Sequence, residues 1–267
     1  MTSRKLAIPL LLVAVLGAAA LALLGVRGVK GEVEPGPGAP VGLMTSLPIY
    51  WADGADIASI AQQDAARPWT RTALELDYEL LPIDTLVPAA ESEAPLPGLE
   101  MPESAMNGIE GLERLAIIQP RGLSPQDNVA LDQWVREGGR LLMVLDPLLS
   151  GHYETPIFDP RHPTSSALIP PVVQRWGLAV SFDDTQPLEL RVVEARHGPL
   201  PVVMAGEISI ADPGAAQCSL DAENIIAHCD VEEGSVMLIA DAALFEAHDP
   251  GEEGSDLVRL LVREALE

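Results

Sequence analysis

The sequence predicts an α/β domain built on a mostly parallel sheet and carried behind one N-terminal transmembrane helix. Three observations predict it. Leu6 to Val26 is a charge-free run rich in Leu, Ala and Val. Arg114 to Pro147 reads as strand, helix and strand at the spacing of a βαβ unit. Gly234 to Glu246 carries a further apolar run that ends on an aspartate. The hydrophobic fraction is 48% but aromatics are only 4%, so the core must be built from Leu, Val, Ile and Ala.

Residues 1–30 read as a membrane anchor. At ~1.5 Å rise per residue, Leu6 to Val26 crosses a ~30 Å hydrocarbon core. Ala20-Leu21-Ala22 resembles a small-x-small cleavage site, so a cleaved signal peptide is the alternative. The apolar run passes that site and ends at Arg27 and Lys30, as an anchor does. The amino terminus, Arg4 and Lys5 slightly outweigh those two cations, which places the start of the chain inside and the body outside. Residues 31–40, GEVEPGPGAP, form a Pro/Gly linker, and residues 41–267 form the domain. The expected location is a bacterial inner membrane, single-pass, with the domain in the periplasm.

Charge narrows the function classes. All 40 acids lie beyond residue 30, no lysine follows Lys30, and the net charge is −24. A body this acidic repels phosphate backbones, which excludes nucleic-acid binding. It also has no lysine for a Schiff base or a phosphate loop.

Along the domain, Val41 to Ser46 is a first strand and Asp56 to Gln63 a helix. Leu74 to Leu81 is apolar at every second residue, which suits a half-buried strand. Pro88 to Glu103 is a proline-rich acidic loop. Leu115 to Ile118 and Leu141 to Leu145 are continuous apolar runs, as in strands buried on both faces. Between them Ser124 caps a helix with Pro125 at its first position; Leu131, Trp134 and Val135 form its inward stripe and Gly138-Gly139 its stop. Ser166 to Trp176 reads as an apolar helix, Leu188 to Val193 and Val202 to Ala205 as strands, and Val236 to Ala240 as a buried strand. Asp256 to Leu266 closes the chain as an amphipathic helix with Leu257, Leu260, Leu261 and Ala265 inward.

No catalytic motif stands out. There is no nucleophile elbow, no HExxH and no CxxC, and no cofactor signature. GHYETPIFDPRHP brings His152, Glu154, Asp159 and His162 into one loop, but no ligand pair lies on a regular element, so no metal site is assigned. Cys218 and Cys229 have no other thiol to compete with; a disulfide between them suits an oxidising compartment, and a free buried pair is the alternative. Open α/β sheets bind ligands at the carboxyl ends of their strands. Ser46, Gln119, Asp146 and Asp241 stand at such ends, and Tyr50 and Trp51 follow the first strand as a contact site or as cover for a sheet edge.

Several of these segments together resemble a known family. SLPIYW (Ser46 to Trp51), LSPQDNVALDQWVREGGRLLMVLDP (Leu123 to Pro147) and GSVMLIADAALFE (Gly234 to Glu246) are similar to the GldG-type auxiliary component of ABC transporters. Asp132, Trp134, Gly138, Gly139, Arg140, Asp146 and Pro147 match its middle motif. Gly234, Asp241 and Phe245 match its late one, with Ala240 where the family has Gly. The resemblance implies a flavodoxin-like, class I glutamine-amidotransferase-like three-layer sandwich without the amidotransferase nucleophile. It also implies ABC permease and ATPase subunits as partners. The chain departs from the family in being short and in having no C-terminal membrane helix, which points to an accessory role. Two functions follow. The leading one is a non-enzymatic, membrane-anchored extracytoplasmic subunit that binds a substrate or partner at the strand ends. The alternative is a periplasmic hydrolase that uses Asp146 and Asp241 as paired carboxylates, with a metal from the His152 loop as an option.

Overall fold

A computed structural model describes residues 38–62, 65–88, 108–196, 198–246 and 250–267. The expected anchor and most of the linker and acidic loop lie outside these residues. Among the described residues, no helix is long and apolar enough to cross a membrane.

The chain enters the sheet at β1 (Ala39–Thr45), passes the short helices α1 (Ile57–Ala61) and α2 (Trp69–Leu74), and returns at β2 (Tyr78–Pro82). The βαβ unit follows as β3 (Arg114–Ile118), α3 (Pro125–Arg136) and β4 (Arg140–Val144), with β3 and β4 parallel. Its start is local chemistry. Ser124 accepts from the Asp127 N–H, and the Asp127 carboxylate accepts from the Ser124 N–H, which satisfies two donors that a helix start leaves open. Gly138 has φ +110°, and Gly139 lies so close to the Trp134 ring that a Cβ there would meet it at 2.4 Å.

A long excursion then carries α4 (Pro171–Arg175), β5 (Leu178–Ser181), β6 (Arg191–Ala195), β7 (Gly198–Val202) and β8 (Glu207–Ile210). These strands form two separate two-stranded sheets, β5 with β8 and β6 with β7. The main sheet resumes with β9 (Gln217–Asp221), β10 (Ile226–Val231) and β11 (Gly234–Ile239), then α5 (Ala243–Glu246) and α6 (Gly251–Leu266). Its order is β2-β1-β3-β4-β11-β10-β9.

The expected mostly parallel, flavodoxin-like and glutamine-amidotransferase-like sandwich is corrected by this sheet. It is mixed, with β10 antiparallel to both β9 and β11, and its helices are few. The reason is connection length. Two residues separate β10 from β11 and a short 3-10 turn separates β9 from β10, and such links cannot cross over to a parallel partner. Cys218 and Cys229 face each other across the β9–β10 pair and are joined by a disulfide.

The core lies on both faces of the sheet. Leu142, Val144 and Ile118 face one side with Val258, Leu261 and Val262 of α6. Leu141, Met143 and Ile117 face the other with Leu131 and Val135 of α3 and Trp176 after α4. Several local expectations shift. Leu74 ends α2 and Leu76 is exposed, so the alternation read from Leu74 mixed a helix end with β2. The helix expected from Ser166 begins only at Pro171, because a residue before proline is turned away from helical backbone. On α6 the buried stripe is Val258, Leu261, Val262, Ala265 and Leu266, while Leu260 is exposed. Trp134 is half-buried at the rim of the core, its indole N–H donating to the Leu112 carbonyl at 2.8 Å.

Candidate functional site

The carboxyl ends of β1, β3, β4 and β11 meet along one edge, and a single side chain ties the end of β3 to that of β4 and to the loop at Thr164. Gln119 follows β3, is fully buried and holds φ +48°, a left-handed backbone that side chains other than Gly rarely adopt. Its Nε2 donates to the Asp146 and Thr164 carbonyls, and its Oε1 accepts from the Asp146 N–H at 2.8 Å. Ser46 donates through Oγ to the Gln119 carbonyl and accepts from the Thr164 N–H. Ser46 and Gln119 are therefore cross-links of the strand ends, with their polar atoms engaged inside the protein.

Asp146 and Asp241 end neighbouring parallel strands in matching register, since Val144 pairs with Ile239. Residues of one parity share a face of a strand, so both carboxyls point to the α6 side. Each is nearly sealed from solvent and each accepts two backbone N–H bonds. Asp146 takes those of Leu148 and Ala242 at 2.8 and 2.9 Å. Asp241 takes those of Ala243 and Val203 at 2.7 and 2.9 Å. Burial pushes Asp146 up to about 6, against its two N–H donors and with help from the Glu246 charge. Burial and then the Asp146 charge push Asp241 up to about 8.

Two clefts open beside this pair and share Pro48, Ala52 and Asp53 as a dividing wall. One, about 410 Å³, is lined by Asp53, Trp69, His152, Tyr153, Glu154 and Glu246 among others, and Glu246 is the side chain in its wall whose charge acts on Asp146 and Asp241. Glu246 sits at the end of α5 and accepts from the Tyr153 hydroxyl and from the Gly151 N–H. The Tyr153 phenol is driven far up by burial and by its bond to Glu246, so it stays a donor. Asp53 accepts from the Thr155 hydroxyl and from the backbone N–H groups of Glu154 and Thr155. Against partial burial, these bonds hold its carboxyl below the usual range, so Asp53 is an ionised acceptor on the cleft wall.

Tyr50 and Trp51 line the other cleft, about 380 Å³. The Tyr50 hydroxyl donates to the Leu43 carbonyl, and Arg71 lies over its ring while donating to its carbonyl, so Tyr50 is fixed. Trp51 stands 49% exposed beside it. The loop of His152, Glu154, Asp159 and His162 is bound up locally. Asp159 pairs with Arg161, and His162 stands edge-on to Tyr153. Among the described residues no group of three or more His, Cys, Asp or Glu is placed to hold a metal.

Sequence reasoning found the strand ends but passed over Asp53, Asp84, Arg121 and Glu246, which face the clefts. Two of them carried a usable signal: Asp53 closely follows the aromatic pair, and Glu246 follows Asp241 by one helical turn.

No family model matches the chain, and no curated protein is significantly similar to it. Among solved structures it is similar to an exo-β-1,4-mannosidase from Opitutaceae bacterium strain TAV5, at 13% identity, TM-score 0.45, over 86% of this chain and 36% of that one. It is similar also to a cold-adapted β-galactosidase from Rahnella sp. R3, at 11% identity, TM-score 0.43, over 86% of this chain and 32% of that one. A third is a β-galactosidase from Bacillus circulans sp. alkalophilus, at 10% identity, TM-score 0.43, over 84% and 30%. The chain thus spans roughly a third of the length of these proteins. At TM-scores this low the likeness assigns no reaction to the chain. These three are glycosidases, and in this chain the carboxyls of Asp146 and Asp241 are buried at neighbouring strand ends. The expectations of a non-enzymatic domain and of an ABC-transport accessory are corrected accordingly.

Proposed function

We propose that the domain is a hydrolase that works by carboxyl acid–base chemistry in the cleft beside Glu246. The observation that carries this reading is the pair of buried carboxyls of Asp146 and Asp241 at neighbouring strand ends, where desolvation favours the protonated form. Asp53, ionised on the cleft wall, is the acceptor for a proton from the attacking water. The new bond forms between water oxygen and the electrophilic carbon. The bond from that carbon to the leaving group breaks, and the leaving atom takes a proton that passes from the Asp146–Asp241 pair through the Glu246 carboxylate, while Asp53 returns its proton to solvent after the turnover. Acid–base groups of this kind contribute about 10²–10⁴-fold each.

The test uses the full chain in mild detergent with a panel of nitrophenyl esters and nitrophenyl glycosides. Turnover of one class is expected, with Asp53→Asn and Glu246→Gln each losing about 10²-fold or more while remaining folded. No turnover across the panel, or turnover untouched by both substitutions, overturns the reading.

We propose also that the domain lies outside the cytoplasm on an N-terminal anchor. The charge-free Leu6 to Val26 run and the Cys218–Cys229 disulfide support this, since such bonds persist in oxidising compartments. An alkaline phosphatase fused after Glu267 should be active in a bacterial host. A fused fluorescent protein that matures only in the cytoplasm should stay dark, and a bright one overturns the placement.

A further inference from the structure

Among the described residues, the arginines of this acidic domain are used up in internal pairs, with one exception. Arg67 and Arg71 hold Glu75, Arg136 and Arg175 hold Asp132, and Arg259 and Arg263 hold Asp77. Arg161 is clamped on Asp159, Arg191 on Glu223, Arg196 on Glu264, and Arg114 and Arg140 reach the Leu266 carbonyl. Arg121 has no hydrogen bond or ion pair among the described residues. It stands just past the end of β3 and lines the cleft of about 380 Å³ together with Trp51, Tyr50 and Asp84.

Asp84 lines that cleft too, and it has no hydrogen bond or ion pair among the described residues either. Among the described residues, one cavity therefore presents an unpaired cation and an unpaired anion that form no ion pair with each other. Its third wall is aromatic. The Trp51 ring is half-exposed and lies 5.9 Å from the Tyr50 ring, which Arg71 fixes from behind. A volume of this size is in the range that takes a small ligand. An arginine matches a carboxylate by its paired donors, a carboxylate matches an ammonium, and an exposed indole covers an apolar group.

We propose that this cleft binds a small zwitterion of the α-amino-acid type with an apolar side chain, its carboxylate on Arg121, its ammonium on Asp84 and its side chain against Trp51. This recognition site adjoins the acid–base cleft across the wall of Pro48, Ala52 and Asp53, uses Arg121, Asp84 and Trp51, which do not line that cleft, and stands whether or not the chain is a hydrolase.

The test is calorimetric titration of the full chain in mild detergent with three probes. They are L-phenylalanine, phenylpropionate, which lacks the ammonium, and phenethylamine, which lacks the carboxylate. Phenylalanine should bind about tenfold or more tightly than either analogue, a charged hydrogen bond being of that order. Arg121→Gln should weaken phenylalanine to the level of phenethylamine, and Asp84→Asn should weaken it to the level of phenylpropionate. Both residues are at the surface of the cleft, and a circular dichroism spectrum verifies that each variant is folded. Absence of phenylalanine binding, equal binding of phenylpropionate, or binding unchanged in Arg121→Gln overturns the proposal. No turnover is measured, so the outcome is independent of the substrate panel above.

Discussion

Replacing Trp176 by alanine should cost about 3–5 kcal/mol, a large part of the ~5–15 kcal/mol that holds a domain of this kind together. The ring is fully buried in the cluster that also holds Leu131, Val135, Val172 and Val173, in the layer between α3 and the sheet. Its indole N–H donates to Asp132 at 3.0 Å, and Asp132 is itself nearly buried between Arg136 and Arg175. Those pairings, working against burial, hold the Asp132 carboxyl below its ordinary range. Truncation would leave a cavity and remove one donor from a buried charge. Because the alanine variant can fail to fold, Trp176→Phe serves as the graded case. It keeps most of the ring, loses the N–H, and should cost about 1–3 kcal/mol. Urea unfolding followed by circular dichroism reads both. A loss under about 1 kcal/mol for the alanine variant would place the ring at the surface and contradict the packing described here.

Stability should fall as pH rises from about 5 to about 8, and Asp146 and Asp241 should account for much of the fall. A carboxyl with a raised folded pKa binds its proton more tightly in the native state than in the unfolded one. The contribution of this pair is therefore complete below the ordinary aspartate range. It is lost as pH climbs through about 6 for Asp146 and about 8 for Asp241. Asp53, Asp77, Asp127, Asp132 and Asp221 act in the opposite sense. Their lowered values give stability that is present above the ordinary aspartate range and lost on acidification. The two groups of residues together set a maximum at weakly acid pH. Urea midpoints near pH 5 and near pH 8 test this, with the pair variant Asp146→Asn, Asp241→Asn as control. The parent midpoint should drop between the two conditions and the variant midpoint should drop less, even though each Asn keeps only one of two acceptors. A parent midpoint that rises toward pH 8 would refute the buried-pair description. In Asp146→Asn alone, the Asp241 carboxyl should titrate lower, because its neighbour no longer carries charge; carbon-13 NMR of the side-chain carboxyls reads that shift directly.

The sequence by itself determined what depends on neighbours along the chain. The βαβ unit was legible because its signals are local: two continuous apolar runs, Ser124 with Asp127 at the helix start, and Gly138 at its stop. Asp146 and Asp241 could be placed at strand ends for the same reason. Only the tertiary structure decided matters that depend on distant partners. The β9–β10–β11 meander made the sheet mixed, because short turns between strands allow no crossover. Gln119 became a cross-link rather than a ligand contact, since its three partners come from β4 and the loop at Thr164, far away in sequence. The coupling of Asp146 with Asp241 arose because register brought two buried carboxyls side by side, and desolvation is a property of the assembled core, not of either residue. Arg121 and Asp84 look like ordinary surface charges in the sequence. They stand out only in the fold, where the other arginines find partners and these two are left facing one cleft.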